Sequence, residues 1–472
     1  MEKLTLQWLA QATQGELRGG SAKRTKAVVR AVSTDSRSIP RGALFVALKG
    51  DRFDGHSYMA LAAARGAAAA LVCREFADGA ESRASRIPLI VVGDTLAALQ
   101  AAARTYRRQQ LKNMRAIAVT GSNGKTTTKE AIATVMTEKF KVVKSEGNLN
   151  NHIGVPLSVL RADADDELGV FELGINHPNE LPPLVDICNP QVGVITNIGE
   201  AHLEFFGDKS AVADEKGKLI EALPTSGCAV LNADDECTPK LRERTRAKVI
   251  TAGFAAEADV RAENVHWEKG KLCFDLHFED ETEVPEVWLD AVGKHQVYSP
   301  LFAAAVAREF GLNPKTVARA LKKFQPPESR LRLQRVGGTQ LIDDSYNANP
   351  DSMIASLNAL ASLPKAKRRI ALLGDMAELG AASERGHRAV GSAAAQSRLD
   401  ALLVVGEQSR WIAEAAKKGG LIRTTQFGSA SEAGAALARL ARRGDAILVK
   451  ASRATKLEDA IAVFRKNFSK KV

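Results

Sequence analysis

The sequence predicts an α/β protein of three domains: a small N-terminal α/β domain, a central mostly parallel sheet built around a glycine loop, and a C-terminal doubly wound, Rossmann-like domain. Three observations predict it. The chain has 472 residues, roughly three times a typical domain. Short apolar runs alternate with helix-period stretches along most of its length, the pattern of parallel strands covered by helices. That alternation breaks near Lys112 and again at Pro326-Pro327, where proline ends a helix and stiffens the link. The expected domains are therefore residues 1–112, 113–326 and 327–472.

In the first domain VVRAV, ALFVAL, AAAALV and PLIVV read as strands, with alanine-rich helices at 56–66 and 95–108. In the second, AIAVT (116–120) reads as a buried strand that ends in GSNGKTTT and continues as a helix to about Glu138. Further strands are expected at 141–143, 169–173, 192–197, 228–232 and 248–251. Between 257 and 290 the period changes: KLCFDLHFED alternates apolar and polar residues, which marks half-buried antiparallel strands and reads as a local appendage before a helix at 295–310. Beyond the prolines, LIDD, RRIALLGD, ALLVVG, TTQF and AILVKA alternate with helices starting at Pro350, Ser383, Glu407, Ser429 and Lys456. This is a second doubly wound unit.

Composition narrows the class of protein. Apolar residues make up 45% and charged residues 26%, enough buried surface for ordinary globular domains. No apolar run approaches the roughly 18 residues of a membrane span, and MEKLTLQWLAQATQG lacks a signal-peptide core. A cytoplasmic protein with no membrane span, acting as a monomer, is expected. The five cysteines are scattered without a C-x-x-C pair, so they read as core thiols rather than as disulfides or zinc ligands. The net charge of +11 attracts anions. Its basic residues are interspersed with acidic ones and aromatics are only 5%, which points to phosphorylated small molecules and away from nucleic acid.

The glycine loop carries the first chemistry. In Thr120-Gly121-Ser122-Asn123-Gly124-Lys125-Thr126-Thr127 the glycines let the chain turn tightly, so backbone N–H groups at a helix N-terminus can surround phosphate oxygens. Lys125 adds a positive charge and Thr126 offers a hydroxyl to Mg²⁺. In the usual spacing the first glycine would fall at Val119, so the loop is a shortened P-loop, and the central domain is expected to be of the P-loop ATPase type.

The TGSNGKTT form resembles that of the Mur ligases and of the folylpolyglutamate synthases, which use ATP to join a carboxylate to an amine. STDSR, FVALKGDRFDGH, GNLNNHIGVPLSVL, ELGINHPNE, NIGEAHLEFFG, LNADD, IDDSYNANPDSM, GDMAELG and VKASR follow in order and are similar to segments of the Mur ligase family over essentially the whole chain. The resemblance implies an ATP-dependent amide ligase, with Mg²⁺ (two ions) as cofactor and an acyl-phosphate intermediate. It implies UDP-N-acetylmuramoyl-tripeptide and D-alanyl-D-alanine as partners in peptidoglycan precursor synthesis. The alternatives are a Mur-type ligase that adds a single amino acid and a folylpolyglutamate synthase; YNANPDSM and the extra N-terminal domain count against both. A P-loop ATPase acting on nucleic acid is the reading from another class.

The same resemblance distributes roles. Gly121, Ser122, Asn123, Gly124, Lys125, Thr126 and Thr127 would hold the phosphates. Glu172, at a strand end where a carboxylate points over the sheet edge, would join Thr126 on one Mg²⁺. His202 would ligate a second, although a lone histidine also reads as structural. Lys216 would carry a carbamate bridging to metal, and Lys218 stands where the family usually has an acidic residue. Asn150 and Asn151 would shape the site or cap a loop. Asn232 and Asp235 would approach adenosine or cap a helix, while His295 is a candidate adenine contact and Ser299 replaces the family's usual asparagine. In the third domain Arg332 is expected on the γ-phosphate and Asp344 on the ribose. Tyr346, Asn347 and Asn349 line the amine side or form a turn, and Lys450, Ser452 and Arg453 follow a strand end. Asp35, Ser36 and Arg37, with Asp54, Gly55 and His56, are candidates for the uridine diphosphate.

Overall fold

A computed structural model describes residues 1–19, 27–50, 53–83 and 85–468. Three large sheets organise them. The N-terminal sheet runs Glu16–Arg18, Leu89–Val92, Ala69–Cys73, Leu44–Val46, Val32–Ser33, and every pair is parallel except the first. Helix Leu6–Ala12, absent from the sequence expectation, packs Leu6 and Leu9 beneath it and is capped by the Thr5 hydroxyl, which accepts from Trp8 N–H. Two turns of helix are too short to register as a period.

The central sheet has nine strands, in the order Val142–Lys144, Leu168–Glu172, Arg115–Thr120, Val192–Ile195, Cys228–Asn232, Lys248–Gly253, Val260–Glu268, Lys271–Phe278, Glu286–Leu289. The last three were expected as an appendage. Instead Ala252 pairs with Val260 and Gly253 with Arg261 in parallel register, so the hairpin continues the main sheet. Its alternation is satisfied because Leu272, Phe274, Leu276 and Phe278 enter the same core as helices Lys125–Met136 and Tyr298–Glu309. Pairing of Val119 with Glu172 and of Thr120 with Ile195 sets the strand ends level. The carboxyl edge of the sheet therefore presents the glycine loop, Glu172 and the segment after Ile195 side by side.

The N-terminal and central sheets share a core. Leu99, Ala103 and Tyr106 of helix Thr95–Gln109 belong to one apolar cluster with Val155, Val159, Leu184 and Ile187 of the central helices. Arg107 locks the junction from within: nearly fully buried, its guanidinium donates to the carbonyls of Cys188 (2.8 Å), Leu111 (2.6 Å) and Met114 (2.9 Å).

The C-terminal sheet runs Arg332–Val336, Thr339–Asp344, Ala446–Lys450, Arg369–Gly374, Ala401–Val405, Thr424–Phe427. All its pairs are parallel except the first, an antiparallel hairpin turning at Gly337 and Gly338, both with positive φ. Separate apolar cores lie on its two faces, as a doubly wound sheet requires. The helix expected from Glu407 begins at Arg410, because Asp375 Oδ1 accepts Ser409 N–H at 2.6 Å and holds the preceding turn. Among the described residues no helix is long and apolar enough to cross a membrane.

Candidate active site

The glycine loop is built by steric necessity. A Cβ at Gly121, whose φ is +146°, would lie 1.9 Å from Thr196 Oγ1, and Gly124 enters the helix at φ +78°. Thr196 Oγ1 donates to Asn123 O (2.6 Å), and Asn197 Oδ1 accepts Asn123 N–H (2.9 Å). Ser122 N–H donates to Asn197 O (3.0 Å), and Ser122 Oγ accepts Gly199 N–H (2.9 Å). The next strand thus fastens one side of the loop, while the first N–H groups of helix Lys125–Met136 have no partner within the helix. Lys125 Nζ donates to the carbonyls of Gly121 (2.7 Å) and Ser122 (3.3 Å). Burial pulls its ammonium down to about 8; Glu172 opposes that shift and Arg330 adds to it.

Glu172 is 1% exposed. Its Oε1 accepts from Thr126 Oγ1 at 3.1 Å and from Asn150 Nδ2 at 2.8 Å, whereas Oε2 is buried with no partner. A buried carboxylate oxygen left unmatched beside the Thr126 hydroxyl offers oxygen donors, which suit Mg²⁺, while the Asn150 amide holds the carboxylate in place. Lys129, on the same helix, supports this arrangement. Fully buried, it donates to Ser145 O (2.7 Å) and Gly147 O (3.3 Å), fixing the segment that delivers Asn150. Asn151 lines the cavity, but its Oδ1 accepts from Ile153 and Gly154 N–H, so it caps the following helix.

Lys216 lies on helix Lys209–Glu221 and is 1% exposed. Burial first, and the charge of Lys125 second, push it well below the ordinary lysine range, with Glu215 opposing. Lys218 does not compete with it: it donates to Glu215 Oε2 (2.5 Å) and Asn179 Oδ1 (2.9 Å). His202 has a left-handed backbone at φ +56°, and its Nδ1 lies 2.5 Å from Glu378 Oε2 in the C-terminal domain.

That domain forms the opposite wall of a cavity of about 1110 Å³. Arg330, Asp344, Tyr346, Asn347, Asn349, Lys450, Ser452 and Arg453 line it, facing Ser122 to Thr128, Asn150, Glu172 and His202. Asp344 is a fastening point: its Oδ2 accepts from Lys450 Nζ (2.6 Å) and Ser356 Oγ (2.7 Å), and its Oδ1 accepts Leu331 N–H (3.1 Å). Lys450 also donates to Asn347 O (2.9 Å). Asn349 caps helix Pro350–Ser362 and donates from Nδ2 to Asn123 Oδ1. Asn232 and Asp235 line the cavity too, yet Asn232 Nδ2 donates to Thr196 O and Asp235 Oδ2 accepts Ile198 N–H, so both hold the loop. Ser299 Oγ accepts from Thr128 Oγ1 (3.0 Å), and neighbouring Tyr298 donates to Asp234 Oδ2 (2.8 Å). His295 Nε2 is buried without a partner; burial lowers the ring to about 4, with Asp344 opposing and Lys450 assisting.

Arg332 is not in this cavity. It sits on the edge strand, half-exposed, and pairs with Glu328 at 3.0 Å. Ser329 and Leu331 have positive φ, and this twisted segment turns Arg330 inward, where its guanidinium lies 4.0 Å from the Tyr346 ring centroid. Arg330, Lys129, Asn197 and Glu378 are the residues missed by the sequence reading. Asn197 and Glu378 stood in quoted motifs, but neither was singled out.

The six N-terminal candidates lie outside the cavity lining. Arg37 grips Asp35 through two nitrogens and is 83% exposed in its side chain, open to an anion. His56 is different. Its Nδ1 meets Asp54 Oδ1 at 2.6 Å and its Nε2 accepts Cys73 N–H at 3.0 Å, so both ring nitrogens are committed to structure. Gly55 is there because a Cβ would meet Leu48 O at 2.7 Å. Ser36 is buried.

A phosphate loop on a parallel sheet, a buried carboxylate suited to a hard cation and a doubly wound domain facing them define a nucleotide-dependent enzyme of the P-loop class. The chain belongs to the Mur ligase family: residues 28–107 match "Mur ligase family, catalytic domain", 119–307 match "Mur ligase middle domain" and 330–453 match "Mur ligase, glutamate ligase domain". It is 34% identical to the UDP-N-acetylmuramoyl-tripeptide–D-alanyl-D-alanine ligase of Bacillus subtilis (strain 168), over 98% of each chain. Its fold is similar to that of MurF from Acinetobacter baumannii, with a TM-score of 0.87 and 31% identity over 99% of each chain. It is also similar to the MurF ligase from Thermotoga maritima in complex with ADP, with a TM-score of 0.81 and 27% identity over 94% of this chain and 99% of that one.

Proposed function

We propose that this chain joins D-alanyl-D-alanine to the tripeptide carboxylate of UDP-N-acetylmuramoyl-tripeptide, converting ATP to ADP and phosphate, in the cytoplasmic synthesis of peptidoglycan precursors. The observation that carries this reading is the unmatched oxygen of Glu172 beside Thr126 and Lys125, facing Arg330 across the cavity. The names of relatives matched over nearly the whole chain supply the substrates.

A carboxylate is a poor electrophile, so its oxygen must first become part of a leaving group. A carboxylate oxygen attacks the γ-phosphorus, the bond to ADP breaks, and the resulting acyl phosphate is attacked at carbon by the dipeptide amine, expelling phosphate. Such transfers need positioning and charge neutralisation rather than a nucleophilic side chain. Mg²⁺, when bound, neutralises phosphate charge; Thr126 and Glu172 would hold one ion, and His202 with a carbamylated Lys216 a second. Lys125 and Arg330 would meet the developing negative charge from opposite walls. The low basicity of Lys216 favours the neutral amine that a carbamate requires.

The test is ADP release by the purified protein with ATP and Mg²⁺, in one arm with UDP-N-acetylmuramoyl-tripeptide and D-alanyl-D-alanine, in the other with the UDP-dipeptide precursor and single amino acids. Turnover dependent on the dipeptide is expected. Turnover with a single amino acid and the UDP-dipeptide precursor would overturn the proposal.

A further inference from the structure

His202 and Glu378 come from different domains, and both have left-handed backbones, at φ +56° and +61°. Non-glycine residues hold such conformations where the surroundings enforce them, and they gather at functional sites. Two hydrogen bonds and one close backbone approach join the two segments. His202 Nδ1 lies 2.5 Å from Glu378 Oε2, Glu204 N–H donates to Glu378 O at 3.2 Å, and a Cβ at Gly380 would lie 3.0 Å from Glu204 Cα. Both residues line the cavity.

A carboxylate accepting from Nδ1–H selects one tautomer and one ring orientation, leaving the Nε2 lone pair as the ring's remaining donor. In the central domain alone His202 follows a strand end with no other side-chain partner among the described residues. We propose that Glu378 is a positioning residue that makes cation binding at His202 conditional on docking of the C-terminal domain. This rests on the reading of His202 as a metal ligand. Docking would then complete the second cation site rather than merely cover it, and reciprocally the cation would favour docking.

The experiment is titration of the full-length protein with Mn²⁺, followed by the paramagnetic resonance of free Mn²⁺, in the presence of a non-hydrolysable ATP analogue and UDP-N-acetylmuramoyl-tripeptide. Wild type is expected to bind two ions. Glu378→Ala is expected to weaken the second about 10–100-fold, the usual cost of losing a residue that orients a ligand, with the first ion and thermal unfolding unchanged. Glu378→Gln, whose amide oxygen accepts the same Nδ1–H, is expected to stay within a few-fold of wild type. If His202→Ala loses the second ion while Glu378→Ala keeps it, the positioning role is overturned and the ligand reading stands. If His202→Ala itself binds both ions as wild type does, the ligand reading falls, and the positioning role with it.

Discussion

Asn349 and Asn123 stand 226 residues apart in the chain, and their side chains meet at 2.9 Å, Asn349 Nδ2 donating to Asn123 Oδ1. The cap of a C-terminal helix thereby touches the tip of the phosphate loop. Asp351, two residues on, accepts Glu200 N–H through Oδ2 at 3.1 Å, and Arg385 donates to Glu200 Oε1. The YNANPDSM segment therefore acts both as cavity wall and as the docking point between domains.

Lys125→Ala and Glu172→Ala are each expected to lower turnover by about 10²–10³-fold, the usual loss for one preorganised electrostatic group, with the fold intact. Steady-state kinetics beside thermal unfolding checks this. Near-normal turnover in either variant would remove that residue from the catalytic set.

Arg330 and Arg332 separate two readings. Arg330→Ala is expected to lose most activity, and Arg332→Ala to keep nearly all of it, because only Arg330 faces the cavity. Comparing their kcat values decides between the structural and the sequence-based placement.

That pair shows what the sequence could and could not convey. The phosphate loop was legible because glycine, lysine and threonine act locally, and Glu172 because a strand end dictates where its carboxylate points. Arg330 was not, since the choice between two nearby arginines depends on the left-handed backbone at Ser329 and Leu331. The edge strand Arg332–Val336 was also missed: RLQRV on a solvated edge has no apolar run to announce it. Arg107, spent on carbonyls on both sides of the junction between domains, carries no local sign of that role in the sequence. Contacts between residues far apart in the chain, such as Asn349 with Asn123 or His202 with Glu378, leave no local pattern.

Lys216→Ala is expected to lose most activity and to regain part of it with formate or acetate, which would occupy the place of the carbamate carboxylate. Full activity without added acid would contradict the role. Loss with no rescue would support an essential lysine without carbamylation.

His295 gives a pH signature. Its folded pKa of about 4 lies below the ordinary 6.5, so the unfolded chain binds the proton more readily. Its contribution is fully present above about pH 6.5, falls as pH drops toward 4 and is then constant, a change of up to about 3 kcal/mol. Chemical denaturation of wild type and His295→Asn between pH 4 and 7 should show a shallower acid loss in the variant; parallel curves would contradict this.

Arg107→Met is expected to destabilise the protein by about 3 kcal/mol, because buried carbonyls at the junction lose their donor. A change below about 1 kcal/mol in denaturant unfolding would mean that water replaces the guanidinium.

The most direct test of the central claim labels the tripeptide carboxylate of UDP-N-acetylmuramoyl-tripeptide with ¹⁸O and follows the isotope by mass spectrometry during turnover with ATP and D-alanyl-D-alanine. If the carboxylate is activated as an acyl phosphate, one ¹⁸O appears in each released phosphate and the other stays in the new amide. Phosphate free of label, alongside amide product, would contradict the account.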